Sequence, residues 1–152
     1  MSKNKIKSIR KKIDSIDHQI LKLIQKRGSL AQKIGKLKSL MNSHASFYKP
    51  NREAEIIRNI SKLNEGPISE KKIKYIFKEI ISSCLSLEEE LTIAYLGPEG
   101  THSEGAVIQH FGSSPTRLPR GTIEDVFHQV RTGSVNFGCL LYTSDAADDS
   151  LR

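Results

Sequence analysis

The chain has 152 residues, 37% of them hydrophobic and 27% charged, with no Trp, which leaves room for one medium domain, or a small domain plus part of another, in an ordinary soluble protein. Its two cysteines, Cys84 and Cys139, lie far apart with no Cys-x-x-Cys partner, and its five histidines are scattered, so neither a disulfide framework nor a zinc site is indicated. The net charge of +7 is uneven, with 20 Lys/Arg against 10 Asp/Glu in residues 1–91 and 4 against 7 in residues 92–152, and a basic front half favours an anionic partner such as nucleic acid, a membrane surface or a small polycarboxylate.

The N-terminus MSKNKIKSIRKK is basic but no apolar stretch follows. Neither a secretory signal nor a transmembrane segment is expected, and the cytoplasm is the expected location. Residues 3–41 contain no Pro and place apolar residues at Ile6, Ile9, Ile13, Ile16, Ile20, Leu23, Leu30, Ile34, Leu37 and Met41, which is alternating three-four helical spacing. A helix of that length runs about 58 Å, too long for two short helices to cover its stripe, so a partner chain is the natural cover. NSHASFY breaks the pattern as a polar loop, and Pro50 suits the first position of a second helix, 50 to about 63, ended by NEGP. Ser69 then suits the N-cap of a third helix, whose stripe runs through Ile73, Ile76, Phe77, Ile80, Ile81, Cys84, Leu87 and Leu91.

Near residue 92 the texture changes. TIAYL is a short strand, GPEG a turn, and Thr101 with Glu104 a capping box opening another helix; a further helix spans Thr122 to Thr132, closed by Gly133, and SVNFGCLL reads as a strand. One or two strands are too few for a complete open parallel sheet, so this α/β domain is expected to be truncated. The end of the chain, about CLLYTSDAADDSLR, is small, polar and acidic and reads as a foreign or disordered tail. The expected divisions are therefore 1–91, 92–138 and 139–152.

Three ionisable residues interrupt apolar stripes. Arg27 stands where the long helix calls for a hydrophobe, and a cation on a buried seam is costly unless paired. Lys38 lies about 20° from Arg27 around the helix and about 16 Å along it, with Ala31 and Gly35 between them, which leaves room for a small dianion. Arg10 points about 100° away, so a dimer partner would have to supply it. Glu88 continues the stripe of Phe77, Ile81 and Cys84, where burial favours its protonated, hydrogen-bond-donating form. Each feature also has an ordinary explanation: Arg10 and Lys38 as snorkelling cations, Arg27 as a register-setting polar group, Glu88 as the start of an exposed acidic run, Cys84 as a core thiol, Arg52 and Glu53 as helix-surface charges.

In order, IRKKIDSIDHQILKLIQKRGSLAQKIGKLK, FYKPNREAEII and IFKEIISSCLSLE resemble the all-helical chorismate mutase family over residues 5–91, and TIAYLGPEGTHSEGAVIQHFG resembles the start of prephenate dehydratase. The chain thus resembles the N-terminal part of the bifunctional chorismate mutase/prephenate dehydratases. The resemblance implies a mainly α fold, a three-helix domain forming an intertwined homodimer, followed by an incomplete α/β domain. It implies a substrate dianion, chorismate, whose carboxylates are held by Arg27 and by Arg10 of a second copy, with Lys38 and Glu88 at the ether oxygen. Glu53 would contact the substrate hydroxyl, Arg52 would support the carboxylate network, and Cys84 would contribute backbone or packing. Lys49, at a substrate-binding position, replaces the family's usual Asp before Pro, and His102 replaces the aromatic of the dehydratase GPxGT(F/Y)S motif, whose loop and helix start suit a carboxylate. A pericyclic shift needs no nucleophile, metal or cofactor, only a held chair-like conformer and donors for the breaking ether bond. The dehydratase family's catalytic threonine motif and regulatory domain have no counterpart after VNFG, so no dehydratase activity is expected of this chain. The rival reading is a basic helical module that binds nucleic acid, but its cations are spread around the first helix and residues 1–46 hold no Phe, Tyr or Trp. No nucleic-acid or membrane partner is therefore expected.

Overall fold

The computed structural model describes residues 2–40 and 48–141. Met41, the expected polar loop as far as Phe47 and the expected tail from Tyr142 on lie outside them. The chain divides between Glu89 and Glu90 into two compact units.

The first unit is three helices: α1 (Ser2–Leu40), α2 (Pro50–Lys62) and α3 (Glu70–Leu85). The Pro-free three-four stripe of α1 does form one unbroken helix, but its cover is confined to the C-terminal part. Gly28, Ala31 and Gly35 are buried, whereas Ile6, Ile9, Ile13, Ile16 and Ile20 are about half exposed and Leu23 is 67% exposed. With 13 and 16 residues, α2 and α3 are roughly 20 and 24 Å long and cannot sheathe a helix of about 58 Å.

Pro50 takes the first position of α2, and the N–H groups of Arg52 and Glu53 bond to the Lys49 carbonyl at 3.0 and 3.2 Å. Lys49 offers no side-chain acceptor, and none caps the helix. Ser69 occupies the N-cap of α3 with extended backbone, yet its hydroxyl makes no capping bond. The third helix is shorter than its stripe. The Glu88 and Glu89 N–H groups turn back to the Leu85 carbonyl at 2.9 and 3.1 Å, so Glu88 lies on the turn after α3 rather than within it. Three successive glutamates at the negative end of the helix dipole oppose its continuation. Leu91, the last residue of the sequence stripe, is buried within the second unit.

The second unit runs β1 (Thr92–Leu96), α4 (His102–Phe111), β2 (Thr116–Arg120), α5 (Ile123–Arg131) and β3 (Phe137–Cys139). Its three strands are parallel in the order β2-β1-β3, one strand more than the sequence suggests. The extra strand, TRLPR, is concealed by Pro119, which an edge strand tolerates because one side of its backbone needs no ladder bonds. Strand β3 is shorter than the apolar run SVNFGCLL and ends at Cys139, the first residue assigned to the tail.

Central β1 is buried on both faces, as parallel strands sandwiched by helices are. Ile93 and Tyr95 pack with Val107 of α4, while Ala94 packs with Val126 of α5 and Val135. A Cβ at Gly138 would stand 2.8 Å from Val126 Cγ1, so the glycine lets α5 rest directly on β3. Helix α5 is capped as expected: Thr122 Oγ1 accepts from the Asp125 N–H at 3.0 Å, and Gly133 at φ +72° ends it. At α4 the Thr-x-x-Glu sequence is used differently. Thr101 Oγ1 donates to the Pro98 carbonyl at 2.9 Å and does not cap, while Glu104 accepts from the Gly100 N–H at 2.7 Å and from Arg117 Nε at 3.2 Å. These bonds, the Gly100 N–H foremost and Arg117 next, hold the Glu104 carboxyl below the usual carboxylate range. The motif therefore anchors the loop before α4 to β2 instead of closing a reciprocal box.

Candidate active site

Within the helical unit, the C-terminal half of α1, the start of α2 and the end of α3 enclose a cleft of about 390 Å³. Arg27 and Lys38 face it from α1 with Ala31 between them; Lys49, Arg52 and Glu53 border it from the start of α2; Cys84 and Glu88 close it from α3 and the following turn. Every candidate except Arg10 thus meets at one cavity. Residues with separate ordinary explanations in the sequence share a site because three helix ends converge there.

Arg27 is half-buried and donates from Nη1 to the Ile80 carbonyl of α3 at 3.4 Å. Lys38 Nζ lies 3.4 Å from Glu88 Oε2, with only 22% and 15% of the two side chains exposed. A cation and a carboxylate at the inner wall satisfy each other in this way, and a ligand oxygen arriving between them would exchange that contact for its own. Glu53 faces Lys78 Nζ of α3 at 3.9 Å. Arg52 pairs at 2.7 Å with Glu55, one turn along α2 and largely in solvent, so its guanidinium stands at the mouth and can swing inward at little cost. Cys84 is buried, a free thiol in the wall.

The cleft is bordered by four cationic side chains, Arg27, Lys38, Lys49 and Arg52, and two acidic ones, Glu53 and Glu88. Their excess of two positive charges, set among Leu30, Ile34, Ile56 and Ile81, suits a small dianion with an apolar body. Among the described residues no group of His, Cys, Asp and Glu could hold a metal ion, and no helix is long and apolar enough to cross a membrane.

Arg10 stands apart. It is exposed on α1, 17 residues before Arg27 and about 25 Å along the helix, and borders no part of the cleft. Two residues the sequence did not single out belong to the site. Tyr48 is buried in its wall, and that burial, with the negative charge of Glu53 second, pushes its phenol up to about 12. Lys78 reaches Glu53 from α3; its only sequence signal is a position seven residues before Leu85, on the same helix face. Tyr48, which follows Phe47 at the end of the polar stretch NSHASFY, carries no periodicity that could have marked it.

The chorismate mutase type II family model matches residues 9–89, the stretch that builds this cleft. The chain belongs to the chorismate mutase type II family. The prephenate dehydratase family model matches residues 93–143, the α/β unit. A bifunctional chorismate mutase/prephenate dehydratase of Stutzerimonas stutzeri is 44% identical over 138 residues, covering 89% of this chain and 38% of that relative. The chain therefore spans under two-fifths of the length of that curated relative. A chorismate mutase of Methanocaldococcus jannaschii is 37% identical over 87 residues, covering 57% of this chain and 86% of the relative. Among solved structures, chorismate mutase (form II) of Thermus thermophilus superposes with a TM-score of 0.53 at 36% identity, covering 56% of this chain and 94% of its own.

Proposed function

We propose that the helical unit is a cytoplasmic chorismate mutase that rearranges chorismate to prephenate as a homodimer. The observation that carries this is the cleft's two-charge cationic excess around an apolar floor, in the segment matched by the family. The reaction is intramolecular: one C–O bond breaks as one C–C bond forms, with no external group transferred. The protein's task is to hold the substrate folded and to stabilise charge on the departing ether oxygen. In this reading Arg27 clamps one carboxylate in bidentate fashion and Arg10 of a second copy clamps the other. Lys38 and Glu88 donate to the ether oxygen. Glu53, backed by Lys78, receives the substrate hydroxyl, Arg52 and Lys49 supply positive potential at the mouth, and Cys84 packs the wall. The uncovered stripe from Ile6 to Leu23 supports a second chain, since burying such a stripe is what drives paired helices together. We propose likewise that the α/β unit is the start of a prephenate dehydratase domain, a reading supported by that family's match over residues 93–143.

The test is chorismate consumption by ultraviolet absorbance with purified chain. Lys38→Ala and Glu88→Ala should each lower kcat about a hundred- to thousand-fold, equivalent to about 3 to 4 kcal/mol for one lost transition-state donor. A folded wild-type chain that leaves chorismate unchanged would end this reading.

A further inference from the structure

Gly35 lies one helical turn before Lys38 on α1, on the face that meets the turn after α3. A Cβ built there would stand 3.0 Å from both the Cα and the carbonyl oxygen of Glu88, and 3.4 Å from its carbonyl carbon. These are backbone atoms, and they cannot give way alone, because the Glu88 and Glu89 N–H groups are both tied to the Leu85 carbonyl. Making room for a methyl group would push the whole turn off α1 and carry the Glu88 carboxyl with it. The 3.4 Å gap between Lys38 Nζ and Glu88 Oε2 thus depends on a residue with no side chain.

Gly28, two turns earlier on α1, provides the contrast. A Cβ there would meet Leu87 Cδ1 at 3.2 Å, the far end of a flexible side chain that is itself half exposed. Both glycines sit inside a helix, where alanine is intrinsically preferred. At Gly28 only a movable side chain opposes that preference, whereas at Gly35 the backbone bearing Glu88 does.

We propose that Gly35 is a positioning residue for the reaction, setting the approach of the Glu88 turn to α1 and so the convergence of Glu88 and Lys38 on one substrate oxygen. The inference rests on the mutase reading of the cleft. Gly35→Ala should lower kcat about ten- to hundred-fold with KM changed less than about three-fold, since the lost alignment matters chiefly in the transition state. Gly28→Ala should leave both constants near wild type. In a Glu88→Ala background Gly35→Ala should lower kcat no further than about two-fold, because the group it positions is gone.

A readout independent of turnover keeps the two ideas apart. Lys38→Ala should move the side-chain carboxyl carbon resonance of Glu88 when residue 35 is Gly, and should not move it in the Gly35→Ala protein. A wild-type chain that does not consume chorismate defeats the mutase reading, and the resonance then decides whether Gly35 sets the pair. Wild-type kcat in Gly35→Ala, an undiminished loss in the Glu88→Ala background, or an unchanged resonance response would each overturn the inference. So would a Gly35→Ala chain that fails to fold while Gly28→Ala folds, since Gly35 would then be a packing residue of the unit.

Discussion

The two units bury their apolar residues in opposite ways. In the smaller α/β unit, Ile93, Ala94, Tyr95, Val107 and Val126 are sealed at 0 or 1% exposure by helices on each face of three strands. Among the described residues of the longer helical unit the buried set is Ala31, Tyr48, Ser82 and Cys84 with two glycines, while the isoleucines of α1 from Ile6 to Ile20 stand about half in solvent. The α/β unit closes a core within one chain; the helical unit uses its covered surface to shape a charged cleft and leaves its longest apolar stripe for the proposed second copy. A high count of aliphatic residues therefore does not by itself indicate a core. What counts is whether the elements are long enough to cover one another.

The sharpest way to break this contrast is to charge the uncovered stripe. Ile13→Asp with Ile20→Asp should convert the chain to a monomer in sedimentation equilibrium, with loss of most helical signal from α1 and chorismate turnover down at least about a thousand-fold, because an apolar seam between helices does not accept unpaired carboxylates. If sedimentation, circular dichroism and turnover are all unchanged, the stripe is simply solvated. Next in size, Val126→Ala removes two methyl groups from a sealed core and should cost the α/β unit about 2 kcal/mol, seen as a lower denaturation midpoint for that unit, with chorismate turnover unaffected. A parallel fall in turnover would show that the core of one unit governs the other's chemistry.

The smallest expected effect concerns pH. Tyr48 holds its proton up to about pH 12 in the folded chain but only to about 10 when unfolded. Between those values the unfolded chain binds fewer protons, so its contribution to stability is complete below pH 10 and declines as pH rises towards 12. The decline should amount to about 1 to 2 kcal/mol and be absent from Tyr48→Phe, as read by denaturant titrations at pH 9 and pH 11.5. Equal slopes in the two proteins would mean that the Tyr48 phenol is no harder to ionise in the fold than outside it.

The amino-acid sequence by itself determined the helices of the first unit, because Pro-free three-four spacing, Pro50 and the change of texture near residue 92 are local signals of backbone preference. It also marked Arg27, Lys38 and Glu88, since an ionisable group in an apolar stripe stands out against a periodic background. Resemblance to a known family added Arg10, Lys49, Arg52 and Glu53, which no spacing distinguishes from ordinary surface charges. Tertiary structure alone decided that the turn carrying Glu88 rests against Gly35, where a Cβ would stand 3.0 Å from the Glu88 backbone. It alone revealed β2, whose Pro119 is acceptable only at a sheet edge, and the use of Glu104 to tie a loop to a strand rather than close a helix. It alone buried Tyr48 and turned Lys78 towards Glu53. Periodicity reports which face of an element is apolar; only the meeting of elements decides what that face touches, and which charges come together as a result.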